Sequence, residues 1–331
     1  MTEKGEVQRG SRIAVAPMMD WTDRHCRYFM RVLSPSVRLY TEMVTAAALE
    51  YGDSGKLLRF DASEHPVALQ VGGSDPRKMA MAAKMGADAG YDEININVGC
   101  PSDRVQSGAF GACLMSSPGV VADCVRAMQS VVSVPVTIKV RIGIDDFDSY
   151  EFLQDFIGAN VDAGCRTFVV HARIAILAGL SPKENRSVPQ LNYERVYRLK
   201  QAHPNLTIIL NGGVTTLADC RTHLRHVDGV MIGRQAYQQP WFLTELEQEF
   251  GLDDAFIAQT RHDVIRRLLP YIERELSEGA KLKHITRHLL GLFAGQPGAR
   301  AWRRYLSENS HRPGAGIDVV HRALDKLPAA A

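Results

Sequence analysis

The sequence predicts an α/β protein, a (β/α)8 TIM barrel followed by a C-terminal α-helical bundle, on three observations. Eight short runs rich in β-branched and apolar residues recur through the first three quarters of the 331 residues. Helical patterns separate these runs, whose starts lie roughly 31 residues apart, the length of a β-α repeat, so eight repeats fill the ~250 residues of such a barrel. After about residue 245 the strand pattern stops. An open doubly wound sheet would want a G-x-G-x-x-G turn after its first strand, and APMMDWTD is not one.

In chain order the runs are RIAVAPM (12–18), VRLYTEM (37–43), PVALQVG (66–72), EININVG (93–99), VTIKVRI (136–142), TFVVHA (167–172), TIILNGG (207–213) and GVMIGR (229–234). Most are continuously apolar, as strands covered on both faces are. Residues 119–132 place Val120, Val121, Cys124, Val125, Met128, Val131 and Val132 on one helical face, and 193–203 reads likewise. Beyond the barrel, helix-spaced apolar groups fall at Ile257, Val264, Leu268 and Leu269, then Ile285, Leu289, Leu290 and Leu292, then Val319, Val320, Leu324 and Leu327. Breaks at 295–298 and 313–316 separate them. The expected organisation is a flexible N-terminus over 1–11, a barrel over 12–245 and a helical domain over 246–331.

Composition narrows the function classes. With 45% hydrophobic and 23% charged residues the chain has globular composition. No apolar run approaches the ~18 residues of a membrane span, and the polar start MTEKGEVQRGS lacks the apolar core of a secretory signal. Six cysteines at 26, 100, 113, 124, 165 and 220 contain no C-x-x-C pair, which fits neither a disulfide framework nor a zinc site. His284 and His288 have i, i+4 spacing without an evident third ligand, so no metal is expected. A reduced, cytoplasmic protein follows. The net charge of +2 hides an asymmetry: Lys281, Lys283, Arg287, Arg300, Arg303, Arg304 and Arg312 face the single acid Glu308 within 281–312. Such a block suggests a polyanionic partner, or a solvated helix surface.

Chemistry in a barrel of this kind sits at the C-terminal strand ends. The seventh run ends Asn211-Gly212-Gly213 and the eighth Gly233-Arg234. Glycine lets backbone N–H groups approach an anion, arginine adds a forked donor, and these two loops often hold a phosphate. Pro17, Met18 and Met19 make an apolar rim suited to a flat ring. Gln70 can donate to and accept from a heterocycle edge. Lys139 lies in an otherwise apolar run, and a buried lysine must be paired or functional. His171 ends the neighbouring strand. Flavin mononucleotide fits this set better than a sugar phosphate, which needs no apolar rim. Cys100 follows the fourth strand on a Gly/Ser-rich loop; an ordinary thiol, with a pKa of about 8.5, is protonated at neutral pH as a proton donor should be. The other five cysteines are expected in packing. A flavin barrel acting on a free pyrimidine or other small enone, and a flavin-free lyase with Lys139 as Schiff-base amine, remain alternatives at this point.

The segments APMMDWTDRHCRYF (16–29), LYTEMV (39–44), EHPVALQVGGSDP (64–76), YDEININVGCPSDRVQSGAFGACLM (91–115), VRIGIDD (140–146), GLSPKENR (179–186) and NGGV (211–214) resemble tRNA-dihydrouridine synthases, and within them the A subfamily. The resemblance runs from about residue 12 to 245, more weakly in the tail. It implies an FMN-containing barrel that uses NADPH to reduce uridine to 5,6-dihydrouridine in the tRNA D-loop, at positions 20 and 20a. It implies that Pro17, Met18 and Met19 frame the flavin, that Gln70, Lys139 and His171 join its site, and that Asn211, Gly212, Gly213, Gly233 and Arg234 hold the phosphate side. Cys100 would protonate C5 while hydride reaches C6. Asn97 would touch the target nucleotide, and Lys183, Arg186, Arg300 and Arg303 would grip tRNA. No protein partner is implied, and a monomer is expected. Three positions depart from the family pattern: Ile174 replaces a lysine, Ile176 an aromatic and Gln239 an asparagine.

Overall fold

The computed structural model describes residues 12–102, 108–257 and 259–328. The expected flexible segment 1–11 lies outside the described residues, as does part of the loop after Cys100. Eight parallel strands form one sheet: β1 (Ile13–Val15), β2 (Leu39–Thr45), β3 (Val67–Gly72), β4 (Glu93–Val98), β5 (Val136–Arg141), β6 (Thr167–His171), β7 (Thr207–Asn211) and β8 (Gly229–Ile232). Their hydrogen-bonded order is β1-β8-β7-β6-β5-β4-β3-β2. Arg38 closes the circle, its N–H donating to Ile13 O (3.0 Å) and its carbonyl accepting from Val15 N–H (2.9 Å). The (β/α)8 barrel is thus observed, and each strand coincides with an apolar run of the sequence.

Alternate strand residues face the barrel interior. Ala14, Ala16, Tyr40, Ala68, Val169, Ile209 and Met231 pack there in one buried cluster, with Met18 against it. The same alternation puts Gln70, Lys139, His171 and Asn211 one step nearer the C-terminal mouth. Intra-strand i, i+2 spacing fixes this, because successive side chains point to opposite faces.

The helices are, in order, α1 (Arg24–Leu33), α2 (Ala46–Tyr51), α3 (Ser54–Leu57), α4 (Pro76–Asp88), α5 (Pro118–Gln129), α6 (Tyr150–Asp162), α7 (Tyr193–Ala202), α8 (Leu217–His223), α9 (Arg234–Gln238), α10 (Phe242–Phe250), α11 (Arg261–Ser277), α12 (Leu282–Thr286), α13 (Ala299–Asn309) and α14 (Asp318–Leu324). The chain divides into two compact units, Met1–Met19 with Arg38–Gly233, and Asp20–Val37 with Arg234–Ala331. The second unit therefore includes α1, α9 and α10 as well as the tail. Within it, Tyr28 stacks on Tyr271 with ring centroids 3.8 Å apart. His25 Nδ1 lies 2.7 Å from the Tyr271 hydroxyl, and Arg24 pairs with Glu275. Asp23 caps α1 by accepting from Cys26 N–H at 2.9 Å. The same carboxylate meets Arg287 and His288, whose hydrogen bonds, outweighing burial, hold it well below the usual range.

Three apolar assignments differ. Helix α5 buries Val121, Cys124, Val125 and Met128, whereas Val120 and Val131 are exposed. Val131 and Val132 lie past the helix end at Gln129, where the 3.6-residue period no longer applies. Ile257 is 84% exposed and precedes Thr260, whose side chain caps α11. The helix through 285–292 stops at Thr286. Leu289 and Leu292 are buried instead through successive i→i+3 turns, Leu289 N–H to Thr286 O (3.0 Å) and Leu292 N–H to Leu289 O (3.1 Å). Among the described residues no helix is long and apolar enough to cross a membrane.

Candidate active site at the barrel mouth

The ends of β3 to β7 converge polar side chains on one end of the barrel. Strand register sets Gln70 beside Asn95, Asn97 beside Lys139, Arg141 beside His171, and His171 beside Asn211. Cys100 follows β4 and is partly exposed. Its backbone N–H donates to Asn97 Oδ1 at 3.0 Å, that of Gly99 to the same oxygen at 3.1 Å, and its carbonyl accepts from Ala112 N–H at 2.9 Å. The Cys100 Sγ lies 3.5 Å from Ser102 Oγ. Asn97 Nδ2 in turn donates to Gln70 Oε1 at 2.8 Å. Expected to touch a nucleotide, Asn97 is nearly buried here and spends its carboxamide oxygen on the Cys100 turn.

Lys139 is half-buried on β5. Among the described residues its ammonium has no hydrogen-bond or ion-pair partner. Burial, with the Arg141 cation adding to it and Cys100 opposing, lowers its pKa to about 8. An ammonium held this way is a strong donor to an anionic or carbonyl ligand.

The sequence pattern alone does not mark Arg141 as a site residue, although it stands two residues from Lys139 on the same face of β5. Its Nε donates to Gly99 O (2.9 Å) and its Nη1 to Ile174 O (2.8 Å) and Asn185 O (3.1 Å). One buried guanidinium thus ties together the loops after β4 and β6. Burial lowers its pKa to about 10, with nearby Arg186 and Arg173 adding to the effect. Asn185 completes the clamp: its carboxamide accepts from Ile176 N–H (2.8 Å) and donates to Ile176 O (2.8 Å) and Leu180 O (3.2 Å). On that pinned loop Lys183 and Arg186 are exposed. Ile174 lines a cavity of about 420 Å³ with Ile142 and Leu191 on its apolar side and Asp148, Asn192 and Tyr193 on its polar side.

On the β7 and β8 side, Asn211 Nδ2 donates to Met231 O at 2.8 Å. Gly212 and Gly213 both have positive φ, 110° and 73°. A Cβ on Gly212 would lie 2.6 Å from the His171 ring, and one on Gly213 2.4 Å from the Tyr193 hydroxyl. Gly233 is different: a Cβ there would meet only Ala16 Cβ, at 4.0 Å, so nothing within the chain demands glycine. Pro17 and Met18, which follow Ala16, are half-buried, and Met19 is 56% exposed. Arg234 opens α9 and belongs to the second unit, as do Arg300 and Arg303, which are exposed on α13.

These residues fit a flavin mononucleotide. An ammonium without a partner among the described residues and the Gln70 amide lie on the inward face of the strands, Met18 supplies an apolar edge, and Gly233 leaves open space beside Ala16. Of the remaining cysteines, Cys26, Cys124, Cys165 and Cys220 are buried, while Cys113 is partly exposed with its Sγ 3.1 Å from Phe110 O. Among the described residues no group of three His, Cys, Asp or Glu side chains is placed to hold a metal ion.

The family model described as dihydrouridine synthase (Dus) matches residues 14–327. The tRNA-dihydrouridine(20/20a) synthase of Vibrio cholerae is 58% identical over 319 residues, covering 96% of this chain and 97% of that protein. That of Escherichia coli K12 is 58% identical over 326 residues, 98% and 94% of the two chains. That of Salmonella typhimurium is 59% identical over 315 residues, 95% and 94%. A solved 2-naphthoyl-CoA reductase in complex with 2-naphthoyl-CoA superposes with a TM-score of 0.56 over 72% of this chain and 50% of that one, and at 8% identity it supports the barrel fold alone. This chain belongs to the dihydrouridine synthase family.

Proposed function

We propose that this protein reduces uridine to 5,6-dihydrouridine in the D-loop of tRNA, at positions 20 and 20a, in the cytoplasm and as a monomer, with FMN as resident cofactor and NADPH as reductant. The observation that carries the reading is Lys139: an ammonium without a partner among the described residues, at the barrel mouth, within electrostatic range of Cys100. The names of the three relatives support the substrate, since each aligns with this chain over nearly its full length.

Bound FMN would supply the hydride that saturates C6 of the uracil ring. Lys139 and Gln70 hold and polarise the ring system, and His171, Asn211, Gly212, Gly213, Gly233 and Arg234 receive the phosphate side. Pro17, Met18 and Met19 cover its edge and keep water away. Cys100 Sγ–H gives its proton to C5, and the thiol is restored from solvent. A base inside folded tRNA must be turned out to reach a barrel mouth, as in other enzymes that act on a nucleobase. Lys183 and Arg186 on the clamped loop, and Arg300 and Arg303 on α13, grip backbone phosphates. The partly exposed mouth suits a splayed base, and the second unit's basic face suits RNA.

The test is anaerobic. NADPH-reduced protein is mixed with tRNA lacking dihydrouridine, and the flavin absorbance is followed. Reoxidation by tRNA and not by free uridine is expected; reoxidation by both at equal rates would overturn the RNA assignment. Cys100→Ala should keep the yellow cofactor and its reduction by NADPH yet lose turnover on tRNA, and full turnover would remove Cys100 from the chemistry.

A further inference from the structure

A chain of buried hydrogen bonds crosses four strands of the barrel, from its floor to the mouth. Glu93, on β4, accepts at Oε1 from the Tyr40 hydroxyl (2.7 Å) and from the Thr137 hydroxyl (2.6 Å). Its Oε2 faces Arg38 Nη1 at 3.4 Å. Thr137 Oγ1, having given its proton to Glu93, accepts from Asn95 Nδ2 (2.8 Å). Asn95 Oδ1 accepts from Gln70 Nε2 (2.8 Å), and Gln70 Oε1 accepts from Asn97 Nδ2 (2.8 Å). Asn97 Oδ1 is then left for the N–H groups of Gly99 and Cys100. All six ladder side chains, Tyr40 included, are buried.

The direction of this ladder is fixed at both ends, by the backbone N–H groups of Gly99 and Cys100, which only donate, and by Glu93, which only accepts. A carboxamide can present either its oxygen or its nitrogen, and a hydroxyl can donate or accept, but a carboxylate only accepts. Glu93 therefore forces Thr137 to donate to it, Asn95 to turn its nitrogen to Thr137, and Gln70 and Asn97 to follow. Burial and the neighbouring Glu93 charge also push the Tyr40 pKa well up, which keeps its hydroxyl a donor. We infer that Glu93 is a positioning residue: through Thr137 and Asn95 it sets which end of Gln70 and Asn97 faces the mouth, and so holds the backbone turn that presents Cys100. Its charge reaches neither substrate nor cofactor. It acts by making one of two amide orientations untenable along the whole ladder.

Conflict along the ladder is the consequence of removing the charge. In Glu93→Gln, Arg38 retains the amide oxygen and the new N–H points at Thr137. Thr137 then meets a donor on each side: either its own proton loses its acceptor, or the amides turn and the NH2 of Asn97 comes to face two N–H groups of the Cys100 turn, and both outcomes weaken the ladder. Thr137→Val instead cuts the ladder while leaving the Arg38–Glu93 pair intact. Thr137→Ser retains the hydroxyl and restores the direction.

The part of this inference that concerns catalysis rests on the role proposed for Cys100, and the test separates the two. Alkylation of Cys100 by iodoacetamide in the full-length protein, followed by peptide mass spectrometry, reads the turn without tRNA. Glu93→Gln and Thr137→Val should each raise the rate about tenfold, the factor expected when one hydrogen bond's net stabilisation of the turn is lost. Thr137→Ser should react as wild type does. Folded Thr137→Val protein that alkylates at the wild-type rate overturns the inference, whatever Cys100→Ala does to turnover. If Cys100→Ala retains turnover while the alkylation rates shift as stated, the ladder stands and the catalytic role of the thiol falls. Should the variants not fold, neutron diffraction on the unaltered protein decides: the proton between Thr137 and Glu93 must belong to Thr137, and Asn97 Oδ1 must face Cys100 N–H, and the reverse arrangement overturns the inference.

Discussion

Replacing Lys139 by methionine should make the flavin-free protein more stable while destroying its cofactor site. The ammonium has no partner among the described residues, and burial first, then Arg141, brings its pKa from the ordinary 10.5 to about 8. A shift of that size corresponds to about 3 kcal/mol at neutral pH, and the partial water access of the half-buried side chain discounts it to about 2 kcal/mol. Methionine has similar length and no charge to desolvate, so Lys139→Met should gain most of that amount. The sign with pH is fixed. Folded protein releases the Lys139 proton near pH 8 and unfolded protein near pH 10.5, so the penalty is full below pH 8 and shrinks as pH rises between the two. The advantage of the variant should therefore fall from about 2 kcal/mol at pH 7 to about 1 kcal/mol near pH 9.5. Urea unfolding of both flavin-free proteins at the two pH values measures this, and fluorescence titration measures FMN affinity. A variant no more stable than wild type, or an advantage independent of pH, would refute the account of Lys139 as an unpaired cation held for a ligand.

Gly213→Ala should cost about 1–3 kcal/mol, because a Cβ at φ 73° would lie 2.4 Å from the Tyr193 hydroxyl and 2.6 Å from Leu191 Cδ1; denaturant midpoints check it. Asn185→Ala removes the buried amide that pins 176–185 and should cost about 2–3 kcal/mol, raising KM for tRNA with FMN affinity unchanged; an unaltered KM would show that the clamp does not serve RNA binding. Arg300→Ala with Arg303→Ala should weaken tRNA binding and lower its salt slope by about 1–2, with the flavin spectrum constant. An equal salt slope would remove α13 from the RNA contact.

The barrel was legible because each strand is covered on both faces, which leaves a continuous apolar run that needs no partner to be seen. EININVG is β4 nearly residue for residue. Strand ends then follow, and with them Cys100, Lys139, His171 and the two glycine loops. What escaped depends on residues far apart in the chain. Arg24–Leu33 falls inside the span 12–245 expected for the barrel, yet His25 and Tyr28 pack on Tyr271, about 240 positions away. Val120 escaped for a smaller reason: it neighbours Val121 in sequence but sits a hundred degrees round the helix.

Two cations stand on the inward face of β5, and the sequence alone gives no ground for choosing between them. Geometry does. The guanidinium of Arg141 is a planar fork, and three of its five N–H groups donate to the carbonyls of 99, 174 and 185, so most of it is committed to holding loops. The ammonium of Lys139 is compact, one step deeper, and finds no carbonyl or carboxylate among the described residues. The amides do not divide in this way: Asn95, Gln70 and Asn97 each donate one amide hydrogen within the ladder and keep a second. Groups already satisfied by the protein build the mouth, and those with a donor to spare face whatever enters it. By that criterion Lys139 is the residue whose substitution should change ligand affinity most for the least change in fold, and Arg141, with three bonds to two loops, the one whose substitution should do the reverse.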